Sequence, residues 1–412
     1  MERPTFDPTQ AISIERLGLE GDGLAGPVRA PFTLPGEVVR GVLDGGTLRV
    51  GEILAPSPDR TAPVCRHFGT CGGCALQHAS DAFLANWKRD AVGRALAARG
   101  LSAELRSTLT SPPRSRRRAT FAGHRTRKTV AIGFRARRSD AVIDVVECPL
   151  VRPELLAAKP VLTELTGLGA GRGGTIRLGV TSGPAGLDID VGGAKPLEAD
   201  LGARLAALAE ASDLARLTWN GETAALRRPP FQRFGAAHVT PPPGAFLQAT
   251  AEGEAALTGA ARAAVGDARR IADLFSGCGT FSLPLAEGAE IHAVEGEARM
   301  LAALDAGARQ TPGLRRLTVE RRDLFRRPLL AAELDRYDAV VLDPPRAGAE
   351  AQAGQLARAA VPRVAMISCD PVSFARDAGL LVAGGYALDW VQTVDQFRWS
   401  GHVELAARFS RR

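Results

Sequence analysis

The segment RRIADLFSGCGTFSLPLAEGAEIHAVEG, residues 269–296, constrains the fold more than any other stretch of this chain. An apolar strand, IADLF, runs into the glycine turn GCG. A helix, FSLPLA, follows, and a second strand, IHAV, ends at Glu295. Strand, turn, helix and strand in that order build a parallel α/β sheet, with the turn at the carboxyl edge where ligands bind. Gly277 and Gly279 let the backbone approach a ligand closely, and an acid about 20 residues further on accepts from ribose hydroxyls. A dinucleotide fold wants a third glycine under a pyrophosphate, where this chain has Ser282. Its absence favours a nucleoside ligand without phosphate, namely S-adenosylmethionine. A mere tight turn is the plain alternative, and the strand contexts and Glu295 weigh against it.

Further strand ends in the same region carry reactive side chains. YDAVVLDPPRAG (337–348) is an apolar strand ending at Asp343, with two prolines stiffening the turn. PRVAMISCDP (362–371) ends at Cys369, and HVELAARF (402–409) begins with Glu404 opposite Val403. Outside the carboxyl ends of the strands, Asp343 and Cys369 would face the same crevice as the glycine turn. A cysteine after a buried strand is often inert core. Its position at a strand end, between Ser368 and an Asp-Pro turn, makes Cys369 a candidate nucleophile. Taken alone, Glu404 reads as a surface residue, and Cys278 as a small filler in the glycine turn.

The remainder of the chain divides by punctuation. Residues 9–56 alternate short apolar runs with Gly and Pro turns, the pattern of a small β-barrel. Residues 57–80 hold a cysteine cluster, and 82–99 read as an amphipathic helix. A strand-rich region follows to about 240 and closes at PPPG (241–244). We divide the chain into a small barrel at 1–56, a mixed α+β region at 57–247 and an α/β region at 248–412. A helix over 81–107 is placed where it can pack on the last region.

VCRHFGTCGGCALQH (64–78) packs Cys65, Cys71 and Cys74 close together in a chain that has 6 cysteines in 412 residues. Disulfides, a structural zinc and an iron–sulfur cluster are the three readings. No stretch of about 18 apolar residues occurs and the N-terminus resembles no leader, so a cytoplasmic protein without a membrane span is expected. Disulfides are rare there. The formal net charge of +7 suggests a polyanionic partner. Basic residues concentrate in RSRRRATFAGHRTRKTVAIGFRARR (114–138), which reads as two strands with Phe121 and Phe134 interleaved. Arg116, Arg117, Arg118, Arg125, Arg127, Lys128 and Arg135, with the two phenylalanines, are candidates for tracking phosphates and stacking bases. A solvated charged hairpin is the competing account.

Taken together, CRHFGTCGGCALQHA, DLFSGCGTFSLPLA, LDPPRAG, ISCDPVSFARD and GHVELAARF resemble the RNA uracil-5-methyltransferase family, most closely its iron–sulfur branch that modifies large-subunit ribosomal RNA. The resemblance runs over nearly the whole chain. It implies a C-terminal Rossmann-like class I methyltransferase domain, an N-terminal TRAM-like (OB-like) RNA-binding barrel and a central domain carrying a four-cysteine cluster. Cys148, in VECPL, would be the fourth thiolate beside Cys65, Cys71 and Cys74. Four thiolates suit zinc or a cubane cluster, and the family implies [4Fe–4S], which we take as mainly structural.

The family pattern makes Cys369 the nucleophile at C6 of uracil, Glu404 the base that removes the C5 proton, and Asp343 the group that holds the uracil edge or the reaction centre. It places Gln248, Phe275, Gly277, Gly279, Thr280, Glu295, Asp323 and Asp343 around S-adenosylmethionine; many relatives carry Asn at the Thr280 position. The target uridine must leave its stack to reach a buried thiol, so a loop or bulge is the expected substrate. Ribosomal RNA is favoured over transfer RNA, and a monomer is expected. Two readings of other classes are a non-catalytic RNA-binding protein and a zinc-stabilised methyltransferase acting on protein or small molecules. The presence of Cys369 and Glu404 speaks against the first, and the basic hairpin and barrel against the second.

Overall fold

In a computed structural model, which describes residues 11–411, the glycine-punctuated N-terminal runs form one six-stranded sheet. Its strands lie in the spatial order Ile12–Ser13, Val38–Asp44, Thr47–Ala55, Val28–Ala30, Gly23–Ala25 and Arg16–Leu17. The Val38–Asp44 and Thr47–Ala55 strands form a hairpin whose two turn residues, Gly45 and Gly46, both have positive φ. That is the turn whose twist matches a hairpin, and glycine is the residue that adopts it without strain. The first ten residues of the expected 1–56 barrel lie outside the described residues.

A seven-stranded sheet runs from Arg118–Arg125 to Glu222–Leu226, covered by helices at Lys159–Gly169 and Ala199–Ala211. The arginine-rich segment supplies two of its strands, Arg118–Arg125 and Val130–Arg135, as an antiparallel pair. Alternation puts one side of each strand into the core. Phe121 goes that way: it is 2% exposed and stacks on Phe134 at 5.0 Å between ring centroids.

The third sheet carries the site. We label its helices and strands in chain order: α1 (Asp81–Ala97), β1 (Glu104–Thr110), α2 (Ala251–Val265), β2 (Arg270–Leu274), β3 (Glu290–Glu295), α3 (Ala298–Arg309), β4 (Leu317–Arg321), β5 (Ala339–Leu342), β6 (Arg363–Ser368), α4 (Pro371–Ala383), β7 (Tyr386–Asp395) and β8 (Glu404–Arg411). The spatial order is β4-β3-β2-β5-β6-β8-β7-β1. Strands from β4 to β6 are parallel, β8 is antiparallel to both neighbours, and β1 adds a parallel edge to β7. Strand β5 is wholly apolar and β2 is buried from Ile271 to Leu274, with Asp273 among the buried residues, because both faces are covered.

The helix expected over 81–107 ends at Ala97. Gly100 takes φ +69°, and the Leu101 N–H donates to Leu96 O at 3.0 Å, which closes the helix and lets β1 begin at Glu104. Helix α1 packs on α4 and on β1, burying Val92 and Leu96 in the main core. It also carries Lys88, fully buried, whose Nζ lies 2.6 Å from Asp395 Oδ1 and donates to Phe397 O at 3.1 Å. Lys88→Met would leave the Asp395 carboxylate buried and unpaired. A loss of about 3–5 kcal/mol is expected, read as a drop in the urea unfolding midpoint. Among the described residues no helix is long and apolar enough to cross a membrane.

Candidate active site

Each turn at the carboxyl edge of this sheet is shaped by its own sequence. After β2 the chain passes through Phe275, Gly277 and Gly279, all at positive φ. Gly279 serves packing: a Cβ there would lie 2.9 Å from Leu283 and Leu304 side-chain atoms. Phe275, without glycine's freedom, holds the same left-handed region, a strain that concentrates at functional turns. Its ring lies 5.3 Å from that of Phe325. Glu295, at the end of β3, accepts from the Gly277 N–H at 3.0 Å and the Glu297 N–H at 2.8 Å. Asp323 accepts from the Phe325 N–H at 3.0 Å. Two aromatic rings with two carboxylates beside them make a slot suited to an adenosine. Under the turn, buried Asp273 accepts from Ser282 Oγ at 2.5 Å, and burial pushes its carboxyl up to about 7.

The reactive groups stand beside that slot. Asp343 follows β5, and its Pro-Pro turn is stitched to α4. The Ala349 N–H donates to Asp377 Oδ2 at 2.6 Å, and Ser373 Oγ donates to Arg346 O at 3.0 Å. Cys369 follows β6 directly. Asp370 then caps α4 by accepting from the Val372 and Ser373 N–H groups, with Pro371 at the first helical position. Glu404 opens β8. Ser368 pairs with Leu405 across the β6–β8 ladder, so Cys369 and Glu404 stand at the next step of the same ladder.

Burial shifts all three groups. It raises Asp343 well above the carboxylate range, helped by the nearby Glu404 and Asp273. It pushes Glu404 up to about 7, against a hydrogen bond from Gln396. Cys369 rises to about 11 through burial and then the Glu404 and Asp343 carboxyls, with Arg346 opposing. A thiol and two carboxyls, all three shifted by burial, therefore share one wall.

That wall belongs to a continuous cleft of about 1300 Å³. The cleft brings together Gln248, Phe275, Gly277, Thr280, Glu295, Asp323, Asp343, Cys369 and Glu404. Cys278 also borders it, but burial pushes its thiol up to about 12, which suits a filler. Residues absent from the expected set also line it: Arg346, Phe325, His402 and the exposed Phe246. Arg346 and His402 lie inside the quoted motifs, and Phe325 and Phe246 stand two residues from the expected Asp323 and Gln248, so each had a signal nearby.

The four cysteines Cys65, Cys71, Cys74 and Cys148 line the same cleft, with Arg116 near Cys74 and Cys148. The thiols of Cys71, Cys74 and Cys148 are raised first by burial and further by one another's proximity, Cys74 to about 12. Donors surround them: the Gly73 N–H lies 3.4 Å from Cys71 Sγ, Gln77 reaches Cys74, and the Leu150 and Val151 amides reach Cys148. Among the described residues, no three Cys, His, Asp or Glu groups are drawn together tightly enough to hold one metal ion. The loop is tied to its surroundings. Gly72 N–H donates to Arg135 O at 2.9 Å, and the Ala75 and Leu76 N–H groups donate to Trp399 O at 2.9 and 3.0 Å.

The arginine-rich hairpin departs from expectation in particular residues. Phe121 is core, so its ring cannot stack on a base. Arg117 is buried in an ion pair with Glu254, which removes it from phosphate contact. Arg125 donates to the carbonyls of Gly167 and Ala170, Arg118 reaches Gly244 O, and Arg135 pairs with Asp140. Arg127 and Lys128 are exposed at the tip and form no ion pair among the described residues. Arg116 and Phe134 line the cleft.

No family model matches the chain. An uncharacterized RNA methyltransferase of Brucella suis is 46% identical over 407 residues, 98% of either chain. One from Caulobacter vibrioides is 44% identical over 98% of this chain and 100% of its own length. The 23S rRNA (uracil(1939)-C(5))-methyltransferase RlmD of Halomonas elongata is 33% identical, covering 95% of this chain and 88% of the relative. Among solved structures, the Pyrococcus abyssi tRNA (uracil-54, C5)-methyltransferase with S-adenosyl-L-homocysteine superposes with a TM-score of 0.76. It does so at 22% identity, over 97% of this chain and 99% of that one, a likeness of fold.

Proposed function

This chain belongs to the RNA methyltransferases, and we propose that it transfers a methyl group from S-adenosylmethionine to C5 of a uridine in 23S ribosomal RNA. The observation that carries the proposal is the placement of Cys369 and Glu404 on one ladder, with Asp343 beside them, next to the slot of Phe275, Phe325, Glu295 and Asp323. The relation to RlmD supports uracil C5 and ribosomal RNA.

C5 of uracil is a weak nucleophile. Addition of the Cys369 sulfur to C6, after its S–H proton is given up to solvent, moves an electron pair to C5 and O4. S-adenosylmethionine, when bound, supplies an electrophilic sulfonium methyl group. Once C5 carries methyl, Glu404 takes the C5 proton, the C5–C6 double bond re-forms and the Cys369 sulfur leaves. Asp343 holds the pyrimidine edge within reach of both groups. The cleft's depth requires the uridine to be flipped out of its stack.

In the same reading, residues 1–56 are a TRAM-like RNA-binding barrel, 57–247 the cysteine-bearing domain and 248–412 the methyltransferase domain. Arg116, Phe134, Arg127 and Lys128 guide RNA. The four thiols, with amide donors and Arg116 around them, would hold the [4Fe–4S] cluster that the family resemblance implies, with zinc the alternative. A cluster there would cross-link the 65–74 loop to the segment after the hairpin. Anaerobic purification is expected to give about four iron and four sulfide per chain; one zinc and no sulfide would decide for the alternative.

The functional test is a strain lacking the gene, with ribosomal and transfer RNA digested separately and 5-methyluridine quantified by mass spectrometry. Loss from the ribosomal pool, restored by the intact gene, is the expected result. Loss from transfer RNA alone would overturn the substrate, and no loss in either pool would overturn uracil methylation.

A further inference from the structure

Among the described residues, the N-terminal sheet reaches the catalytic cleft at one place. Residues 18–22 turn between the strands Arg16–Leu17 and Gly23–Ala25, and Leu19 and Glu20 in that turn line the cleft. The turn is fixed from within: the Gly18 N–H donates to Asp22 O at 2.8 Å, and Gly21 takes φ +85°. It is fixed from outside as well. Asp22, 2% exposed, accepts from Arg137 and, at 3.0 Å, from Arg138 Nη2, both at the exit of the arginine-rich hairpin.

The seat of this turn is the loop that leads into Glu404. A Cβ on Gly401 would collide with Leu19 O, so a glycine is what lets the two backbones touch. Gly401 has no positive φ, and close approach is therefore what its bare Cα serves. Trp399, in the same loop, packs with Leu17 and Leu34 of the N-terminal sheet. Glu404 lies three residues beyond Gly401, at most about 11 Å of chain. The Leu19 backbone thus stands close to the reacting groups, while its side chain is 56% exposed. A leucine exposed singly calls for no account. This one shares the cleft with Phe246, Phe325 and Val372, each more than half exposed. Arg116, Arg138 and Arg346 line the cleft too, a setting for the phosphates of an RNA strand.

We propose that Leu19 contacts the substrate: the docked turn holds it against the nucleobase next to the flipped uridine, where it fills part of the stack that the uridine leaves. Apolar side chains set between base steps stabilise unstacked nucleic acid in this way, and they offset part of the cost of unstacking. This role rests on RNA being the substrate and on the uridine leaving its stack. A photoactivatable benzophenone amino acid in place of Leu19 tests the contact directly. The variant is irradiated with ribosomal RNA from the strain lacking the gene, and reverse-transcription stops map the cross-links. Cross-links to the nucleotides flanking the methylated uridine are expected; none, or distant ones alone, overturn the proposal.

Leu19→Ala is expected to raise KM for the same RNA about tenfold and to leave kcat within about twofold, because a contact kept from the bound state through the transition state is uniform binding. Leu19→Met, apolar and of similar volume, should restore KM. An unchanged KM in Leu19→Ala overturns the proposal, as does a methionine variant no better than the alanine one. Because the side chain is exposed, the urea midpoint and the binding of S-adenosylmethionine should match the intact protein in both variants. If the intact protein methylates no uridine in that RNA, uracil methylation fails while Leu19 is still judged. Cross-links confined to unpaired nucleotides would then keep the contact, and their absence would remove it.

Discussion

Cys369→Ala is expected to lower methyl transfer to uridine by at least about 10⁴-fold, because without the sulfur C5 is never activated. Binding of S-adenosylmethionine should change little, since the slot of Phe275, Phe325, Glu295 and Asp323 lies on the turns after β2 to β4, away from the end of β6. Single-turnover kinetics and a binding isotherm for the methyl donor separate the two effects. A second readout is chemical. RNA carrying 5-fluorouridine at the target offers Glu404 no C5 proton to remove, so the intact protein should remain covalently bound to it on a denaturing gel. Cys369→Ala should show no such band, whereas Cys278→Ala should keep it, because that thiol is buried in the glycine turn. The resting Cys369 thiol is held up to about 11 by burial and two carboxyls, so alkylation by iodoacetamide at neutral pH should be slow. A 5-fluorouridine band that survives in Cys369→Ala would remove Cys369 from the nucleophile's place.

How much of this was legible in the sequence depended on the length scale of the signal. The strand–turn–helix around Gly277 and Gly279 declared itself because each element is short, apolar and bounded by glycine. Cys369 and Asp343 could be placed at strand ends for the same reason. Glu404 could not be separated from a surface residue by its own strand: its burial comes from β6 and β7 on either side, a long-range pairing that no local pattern encodes. The hairpin at 118–135 was visible as two strands. Which face of each strand meets the core was not, so Phe121 was placed with the RNA contacts when the helix at Lys159–Gly169 in fact covers it. Arg117 looked like one more arginine of a basic run until Glu254, 137 residues away, proved to be its partner.

Glu404→Gln should separate the two halves of the reaction. Addition of Cys369 and methyl transfer need no base at C5, so they should proceed; removal of the C5 proton should slow by about 10²–10⁴-fold. Methylated RNA should therefore accumulate as a covalent adduct even on ordinary uridine. In the intact protein, the same carboxyl must be ionised to act. With its folded value pushed up to about 7, the rate of product release should climb as pH rises from 6 to 8 and then level off. The stability consequence runs the opposite way. Below the ordinary value of 4.5 the carboxyl is protonated whether the chain is folded or not, and it makes no difference. Between 4.5 and about 7 the unfolded chain releases the proton while the folded chain keeps it, so stability falls as pH rises. Above that range the full penalty stays. Glu404→Gln never ionises, so it should match the intact protein near pH 4 and exceed it by about 2–3 kcal/mol at pH 8. Urea unfolding at the two pH values measures this directly. A variant that is less stable at pH 8 would mean that the carboxylate is welcomed by its surroundings, and a base poised near neutrality would have to be sought in another group.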